Sequence, residues 1–285
     1  MFTEQKNYIH NITGLKMNAL LKLKEKTSQK KFICVGLDTD TKKIPQFLLK
    51  YEDPVFEFNK IIIDNTKEHA SSYKLNFAFY ENLGEKGLAA LAKTVEYIGS
   101  GVLVIGDAKR GDIGNTSEMY AKAVFERFNF DAITVHPYMG RDSVKPFMNF
   151  EDKLVFILAL TSNPGAQDFE KLKLENGSYL YQQVIRQVNE WNEKKNCGIV
   201  FGATQLEELK GNIESFMDLP VLLPGVGAQG GSFEDVCKAF KASGKTNFMV
   251  NISRGLIYLS QTEDFGELAN REIIKFNSQA KEIFE

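Results

Sequence analysis

Short apolar runs recur at 32–37, 73–77, 102–106, 132–135, 155–160, 198–201, 221–223 and 248–250, separated mostly by amphipathic stretches long enough for helices. The runs are strand-length, and the stretches between them carry helical spacing over 56–69, 88–98, 117–128, 141–149, 179–192, 204–213, 233–241 and 265–276. Eight strand–helix units in alternation predict an α/β fold of the TIM (β/α)8 barrel type. An open doubly wound sheet is the competing architecture, because it alternates in the same way. The first strand starts only near Phe32, which leaves room for an additional N-terminal helix around 14–24 that would cap one end of the barrel. No Pro-rich linker or low-complexity segment divides the chain, so one domain over 1–285 is expected, with the barrel proper at about 32–260 and an N-terminal extension at about 1–31.

Polar residues gather where each run ends. Asp38 and Asp40 follow the first, Lys74 and Asn76 belong to the second, and Asp107 and Lys109 close the third. His136, Thr161 with Ser162, the 224–231 loop and Ser253 with Arg254 come at later ends. A barrel presents its active face at the C-terminal ends of its strands, so this repeated placement predicts a site there. The densest part is Gly106-Asp107-Ala108-Lys109-Arg110-Gly111-Asp112-Ile113, with four ionisable groups in six residues directly after an apolar run. Strand alternation puts Asp107 and Lys109 on one face and Asp112 in the turn beyond. Charges at the end of an interior strand must pair or react. Taken alone, Asp107, Lys109 and Asp112 are also compatible with a structural ion network, Asp38 with a turn or helix cap, and Lys74 with a solvated side chain.

The second chemical signal is Pro224-Gly225-Val226-Gly227-Ala228-Gln229-Gly230-Gly231. Glycines let backbone N–H groups converge on an anion, and Arg254, after the last strand, adds a guanidinium that can grip phosphate in pairs of hydrogen bonds. Loops after the last two strands are where barrels hold phosphate.

Composition narrows the partners. The 285 residues carry 35 Lys and Arg against 37 Asp and Glu, a formal net charge of −2, which gives no global attraction for nucleic acid or an anionic membrane. Lys-rich stretches such as 22–31 lack the organisation of a nucleic-acid surface and read as a solvated face. Cys34, Cys197 and Cys237 are few, odd in number and free of any C-x-x-C pair, as expected of buried structural thiols in a reduced, cytoplasmic protein. No early segment has the form of a secretory signal, and no apolar run approaches the roughly 20 residues of a membrane helix. His10, His69 and His136 are scattered and suggest no metal site; His136 fits packing behind a site better than direct chemistry.

Five segments together resemble orotidine 5'-phosphate decarboxylase: Gly36-Leu37-Asp38-Thr39-Asp40, the Lys74 region, Asp107 to Ile113, the 224–231 loop, and Asn251-Ile252-Ser253-Arg254-Gly255. The added N-terminal residues and the broad 162–181 segment resemble the longer bacterial form of that family. The resemblance implies a homodimeric enzyme without metal or cofactor that converts orotidine 5'-phosphate to uridine 5'-phosphate and carbon dioxide in pyrimidine synthesis. It implies that Asp38, Lys74, Asp107, Lys109 and Asp112 surround the ribose and the reacting pyrimidine, with Asp38 and Lys74 at the ribose hydroxyls. It also implies that Asp112, Ile113 and Thr116 reach into the partner's site, that Ser162 meets the base, and that Pro224, Gln229 and Arg254 serve the phosphate end.

The chemistry needs a group that offsets charge at C6 as carbon dioxide departs and then protonates that carbon. An ammonium on Lys109, aimed by Asp107 and Asp112, would do both, and Asp107 near the substrate carboxylate would add ground-state repulsion. Two other readings use the same residues. A metal-dependent barrel acting on a sugar phosphate through an enediolate shares the D-x-K-x-x-D pattern, and a non-catalytic phosphate-binding barrel would share the loop.

Overall fold

The computed structural model describes residues 18–227 and 230–285. Among them, eight parallel strands pair in chain order: β1 (Ile33–Gly36), β2 (Ser72–Asn76), β3 (Leu103–Arg110), β4 (Ala132–Val135), β5 (Leu154–Leu160), β6 (Cys197–Phe201), β7 (Val221–Pro224) and β8 (Phe248–Ile252). Strand β8 pairs back onto β1, with Ile33 opposite Val250 and Val35 opposite Ile252, so the sheet closes and the open-sheet alternative falls. Closure leaves no strand edge to solvent.

Helices α1 (Ala19–Ser28), α2 (Pro54–Thr66), α3 (Phe77–Glu81), α4 (Gly84–Ile98), α5 (Gly114–Lys122), α6 (Arg141–Met148), α7 (Leu180–Trp191), α8 (Leu206–Asn212), α9 (Phe233–Ala242), α10 (Arg254–Ile257) and α11 (Phe265–Phe284) accompany the strands. Strands buried on both faces read as unbroken apolar runs. Their inward residues Cys34, Leu103, Ile105, Ala132, Leu154, Phe156, Val200, Leu222 and Met249 form one cluster in the lumen. Outward residues such as Ile33, Val35, Val104 and Val250 belong to a larger layer under the helices.

The N-terminal helix differs in position from the expected 14–24. Its described part starts at Ala19, where the Asn18 side chain accepts from Leu21 N at 3.0 Å, and runs to Ser28; residues 14–17 lie outside the described residues. Ala19 and Leu23 join the lumen cluster, so α1 plugs the N-terminal end of the barrel. Lys22, on the same side, lies 2.8 Å from both carboxylate oxygens of Asp131, which also accepts from Val104 N at 3.0 Å.

Other boundaries moved where local pattern competed with packing. Residue 77 starts a short helix instead of ending a strand, because the Asn76 side chain accepts from Ala78 N at 3.2 Å and turns the chain. Helix α11 runs eight residues past the expected 276, since Asn277 and Ala280 continue the buried stripe of Ala269 and Ile273.

Candidate active site

Strand alternation carries the lumen stripe straight into the site. Two residues beyond lumen-facing Ile105 comes Asp107; beyond Ala132 comes Thr134, beyond Phe156 Leu158, and beyond Met249 Asn251. On β2 the same face carries Lys74 and Asn76. These residues, with Asp38, Lys109, Thr161, Ser162, Pro224 and Arg254, line a cavity of about 340 Å³ at the C-terminal mouth of the barrel. The polar face predicted there is thus continuous with the packed lumen below it.

Asp38, Lys74, Asp107 and Lys109 form a chain of alternating charges on the cavity wall. Lys74 Nζ lies 3.3 Å from Asp38 Oδ1 and 2.9 Å from Asp107 Oδ2, and Lys109 Nζ lies 2.6 Å from Asp107 Oδ1. Thr134 Oγ1 donates to that same Asp107 oxygen at 2.9 Å. Burial pushes the Lys74 ammonium down, but the carboxylates of Asp107 and Asp38 outweigh it and hold the group above its ordinary value. Burial likewise pushes the Asp107 carboxyl up, and the ammonium groups of Lys74 and Lys109 overcome this and hold it well below the usual carboxylate range. Both groups are therefore charged at neutral pH.

Lys109 reaches this position through a break in the sheet. Between Gly106 and Arg110 the pairing of β3 with β4 slips, so that four steps along β3 match two along β4, from Ile133 to Val135. Lys109 takes a left-handed backbone at φ 47°, a conformation that costs a non-glycine residue about 1 kcal/mol or more. Its N–H donates to Thr134 Oγ1 at 3.0 Å, in place of a strand partner. The side chain is 52% exposed, against 4% for Lys74, so its ammonium points into the open cavity while that of Lys74 is sealed behind it. Simple alternation placed Asp107 and Lys109 on one face; the bulge, held by Thr134, decides how far Lys109 projects.

The opposite side of the cavity has few side-chain charges. Gly225, Gly227 and Gly230 all adopt positive φ, at 104°, 79° and 91°, where a side chain would strain the backbone. The loop closes on itself through Gly231 N to Gly225 O and Gly230 N to Gly227 O. Arg254 stands exposed at the mouth with no ion pair to any described residue. Gly36 is required by close approach, since a Cβ there would fall 1.9 Å from Ser253 Oγ. An arrangement with a glycine loop and an unpaired guanidinium at one end, and a charge relay at the other, suits a ligand carrying a phosphate at one end and its reacting group at the other.

Known proteins carry the same arrangement of sequence. Residues 31–283 match the model of the Orotidine 5'-phosphate decarboxylase / HUMPS family. The chain belongs to that family. It is 49% identical to the orotidine 5'-phosphate decarboxylase of Flavobacterium johnsoniae over 92% of this chain and 97% of the relative. The solved OMP decarboxylase of Leishmania donovani superposes with a TM-score of 0.80 at 34% identity, covering 93% of this chain and 99% of that one. The UMP synthase of the same organism gives 0.79 at 37% identity over 91% of this chain, which spans 56% of that longer protein.

Not every residue that the decarboxylase resemblance singled out lies together in this chain. Asp38, Lys74, Asp107, Lys109, Ser162, Pro224 and Arg254 line the cavity. Asp112, Ile113 and Thr116 do not: among the described residues the Asp112 carboxylate accepts from its neighbour Ile113 N, at 2.8 Å, and Ile113 and Thr116 are exposed. Within one chain Lys109 pairs with Asp107 and not with Asp112. Gln229 lies outside the described residues. The His136 ring lies where a Cβ on Gly111 would sit, 2.2 Å from Nε2. The three cysteines are buried, and burial pushes each thiol up to about 12, which removes them as nucleophiles.

Sequence reasoning missed Thr134 and Tyr258. Thr134 was visible only as a hydroxyl in the apolar run Ala-Ile-Thr-Val, in phase with the lumen stripe. Tyr258 Oη accepts from Asp40 N at 2.7 Å and donates to Asp38 O at 3.0 Å, fixing the backbone that carries Asp38 from 220 residues away. No local signal announces such a contact.

Proposed function

We propose that this chain decarboxylates orotidine 5'-phosphate to uridine 5'-phosphate and carbon dioxide in pyrimidine biosynthesis, without a metal or organic cofactor, as one domain over 1–285. The observation that carries this reading is the Lys109 ammonium, 2.6 Å from a buried Asp107 carboxylate and projecting into the cavity. With the pyrimidine held against it, the bond from C6 to the carboxylate carbon breaks, its electron pair stays on C6, and carbon dioxide leaves. The ammonium offsets that charge as it develops and then gives its proton to C6; solvent returns a proton to the amine. Preorganisation is favourable here, because Asp107, Lys74 and Thr134 fix the donor before substrate arrives.

Arg254, Gln229 and the loop starting at Pro224 bind the phosphate, Asp38 and Lys74 the ribose hydroxyls, and Ser162 the base. Asp112, Ile113 and Thr116 serve the site of a second copy. Their place outside the cavity of their own chain supports this, as does the 58% exposure of an apolar Ile113. Within one chain the wall holds two carboxylates and two ammonium groups, a balanced set. A partner's Asp112 adds a negative charge that helps aim Lys109.

Incubation with orotidine 5'-phosphate and a chelator, followed by uridine 5'-phosphate and carbon dioxide release, tests the activity. Turnover that vanishes on metal removal and returns only with a divalent ion would favour the sugar-phosphate barrel chemistry instead. For the shared site, mixed dimers of Lys109→Ala and Asp112→Ala chains should regain up to one working site per dimer, where each parent is inactive. No recovery on mixing would exclude the exchange of Asp112.

A further inference from the structure

The segment between β5 and α7 starts on the cavity wall with Thr161, Ser162 and Asn163, and its best-anchored point is Thr161, the first residue after the strand. The Glu170 carboxylate accepts from Thr161 N at 2.7 Å, and its two oxygens lie 2.9 and 3.0 Å from Thr161 Oγ1. Thr161 Oγ1 also lies 2.7 Å from Asn163 Oδ1, so the hydroxyl proton is shared between Glu170 and the residue that follows Ser162. A backbone N–H at the end of an interior strand usually bonds to the next strand or to water; here a charged side chain takes it. Glu170 is itself fastened. Its carbonyl accepts from Tyr181 N at 2.9 Å, and the adjoining Lys171 Nζ donates to Gln205 Oε1 at 2.8 Å and pairs with Glu208 at the start of α8.

From the other side, β6 ends at Phe201, and Gly202 N donates to Leu160 O at 2.7 Å. A Cβ on Gly202 would come within 2.9 Å of Ser162 N and 3.0 Å of Ser162 Cα. Those are backbone atoms, so the turn would have to move to admit a methyl group. The turn 161–163 therefore sits between a missing side chain and a carboxylate, both supplied by elements that do not touch the charge relay.

We propose that Glu170 is a positioning residue: its carboxylate, with the clearance left by Gly202, sets where Ser162 stands and so how the pyrimidine ring is received. This rests on the assignment of Ser162 to the base. Loss of the carboxylate leaves the phosphate loop and the charge relay intact and loosens only the base-facing wall. The effect separates by ligand: uridine 5'-phosphate carries the base, and ribose 5-phosphate does not.

Binding of the two ligands to the full-length protein, measured by calorimetry, tests it. Glu170→Ala should weaken uridine 5'-phosphate by about 10-fold, the size of one charged hydrogen bond, and leave ribose 5-phosphate within about 2-fold. Glu170→Gln keeps an oxygen acceptor and should recover most of the loss. Gly202→Ala, which acts without touching Glu170, should shift the ratio of the two affinities in the same direction and serves if Glu170→Ala does not fold. An unchanged ratio in Glu170→Ala, beside a changed one in Ser162→Ala, overturns the positioning role and spares the base assignment. A ratio unchanged in Ser162→Ala as well overturns the base assignment, and the positioning role with it.

Discussion

Two Lys–Asp contacts lie at opposite ends of the same barrel, and their surroundings give them different work. At the N-terminal end Lys22 and Asp131 are 2% and 7% exposed, paired through both carboxylate oxygens and sealed beneath α1. At the C-terminal end Asp107 is shared between a buried Lys74 and a half-exposed Lys109 that faces the cavity. In a buried pair each charge is satisfied by the other, so removing one partner strands a buried charge and costs stability. An open ammonium gains little from its pair in folding and is available to a ligand. The same two residue types thus make a plug at one end and a reactive centre at the other.

Four outcomes would break or sharpen this contrast. Lys109→Ala should lower the rate of decarboxylation by about 1,000-fold or more while moving the unfolding free energy by less than about 1 kcal/mol. Parallel turnover assays and urea melts decide it; a large loss of stability would mean that the open end is structural after all. Lys22→Met should do the reverse, costing about 3–5 kcal/mol of stability with the turnover of folded enzyme within about 2-fold. Adding Asp131→Asn to that variant removes the stranded charge but keeps an acceptor for Val104 N. The pair of changes should regain about half of what Lys22→Met alone lost.

The smallest expected effect concerns pH. Asp107 has a folded value below its ordinary 3.8, so its contribution is complete above that value and is lost as pH falls below it. Lys74 has a folded value above its ordinary 10.5, so its contribution is complete below that value and is lost as pH rises beyond it. Urea midpoints of the wild type and Asp107→Asn should therefore converge as pH drops below about 4. A constant gap between the two down to strongly acid pH would show that Asp107 does not titrate with folding.

Much of the barrel was legible because its strands are buried on both faces. Runs such as Leu103-Val104-Ile105 announce themselves by composition, and the charged residues that end them stand out against it. The family was legible for a related reason, since its chemistry requires several residue types at fixed strand ends. Helix boundaries were less so. Nothing in the pattern around Phe77 separates the end of a strand from the first turn of α3, and the length of α11 depends on what its last two turns pack against. Thr134, Tyr258 and Glu170 escaped because each acts through hydrogen bonds to residues nine or more positions away along the chain, which leave no periodic trace.

The sequence by itself determined the α/β alternation, the burial of its strands, and which side chains stand at their C-terminal ends, because period and hydrophobicity are local properties of a chain. Only the tertiary structure decided that the sheet closes, that α1 seals one end, and that Asp107 is shared by two lysines while Asp112 stands outside its own cavity. Those outcomes depend on distances between residues far apart along the chain. Such distances are set by packing eight strands at once, and no window of sequence contains them.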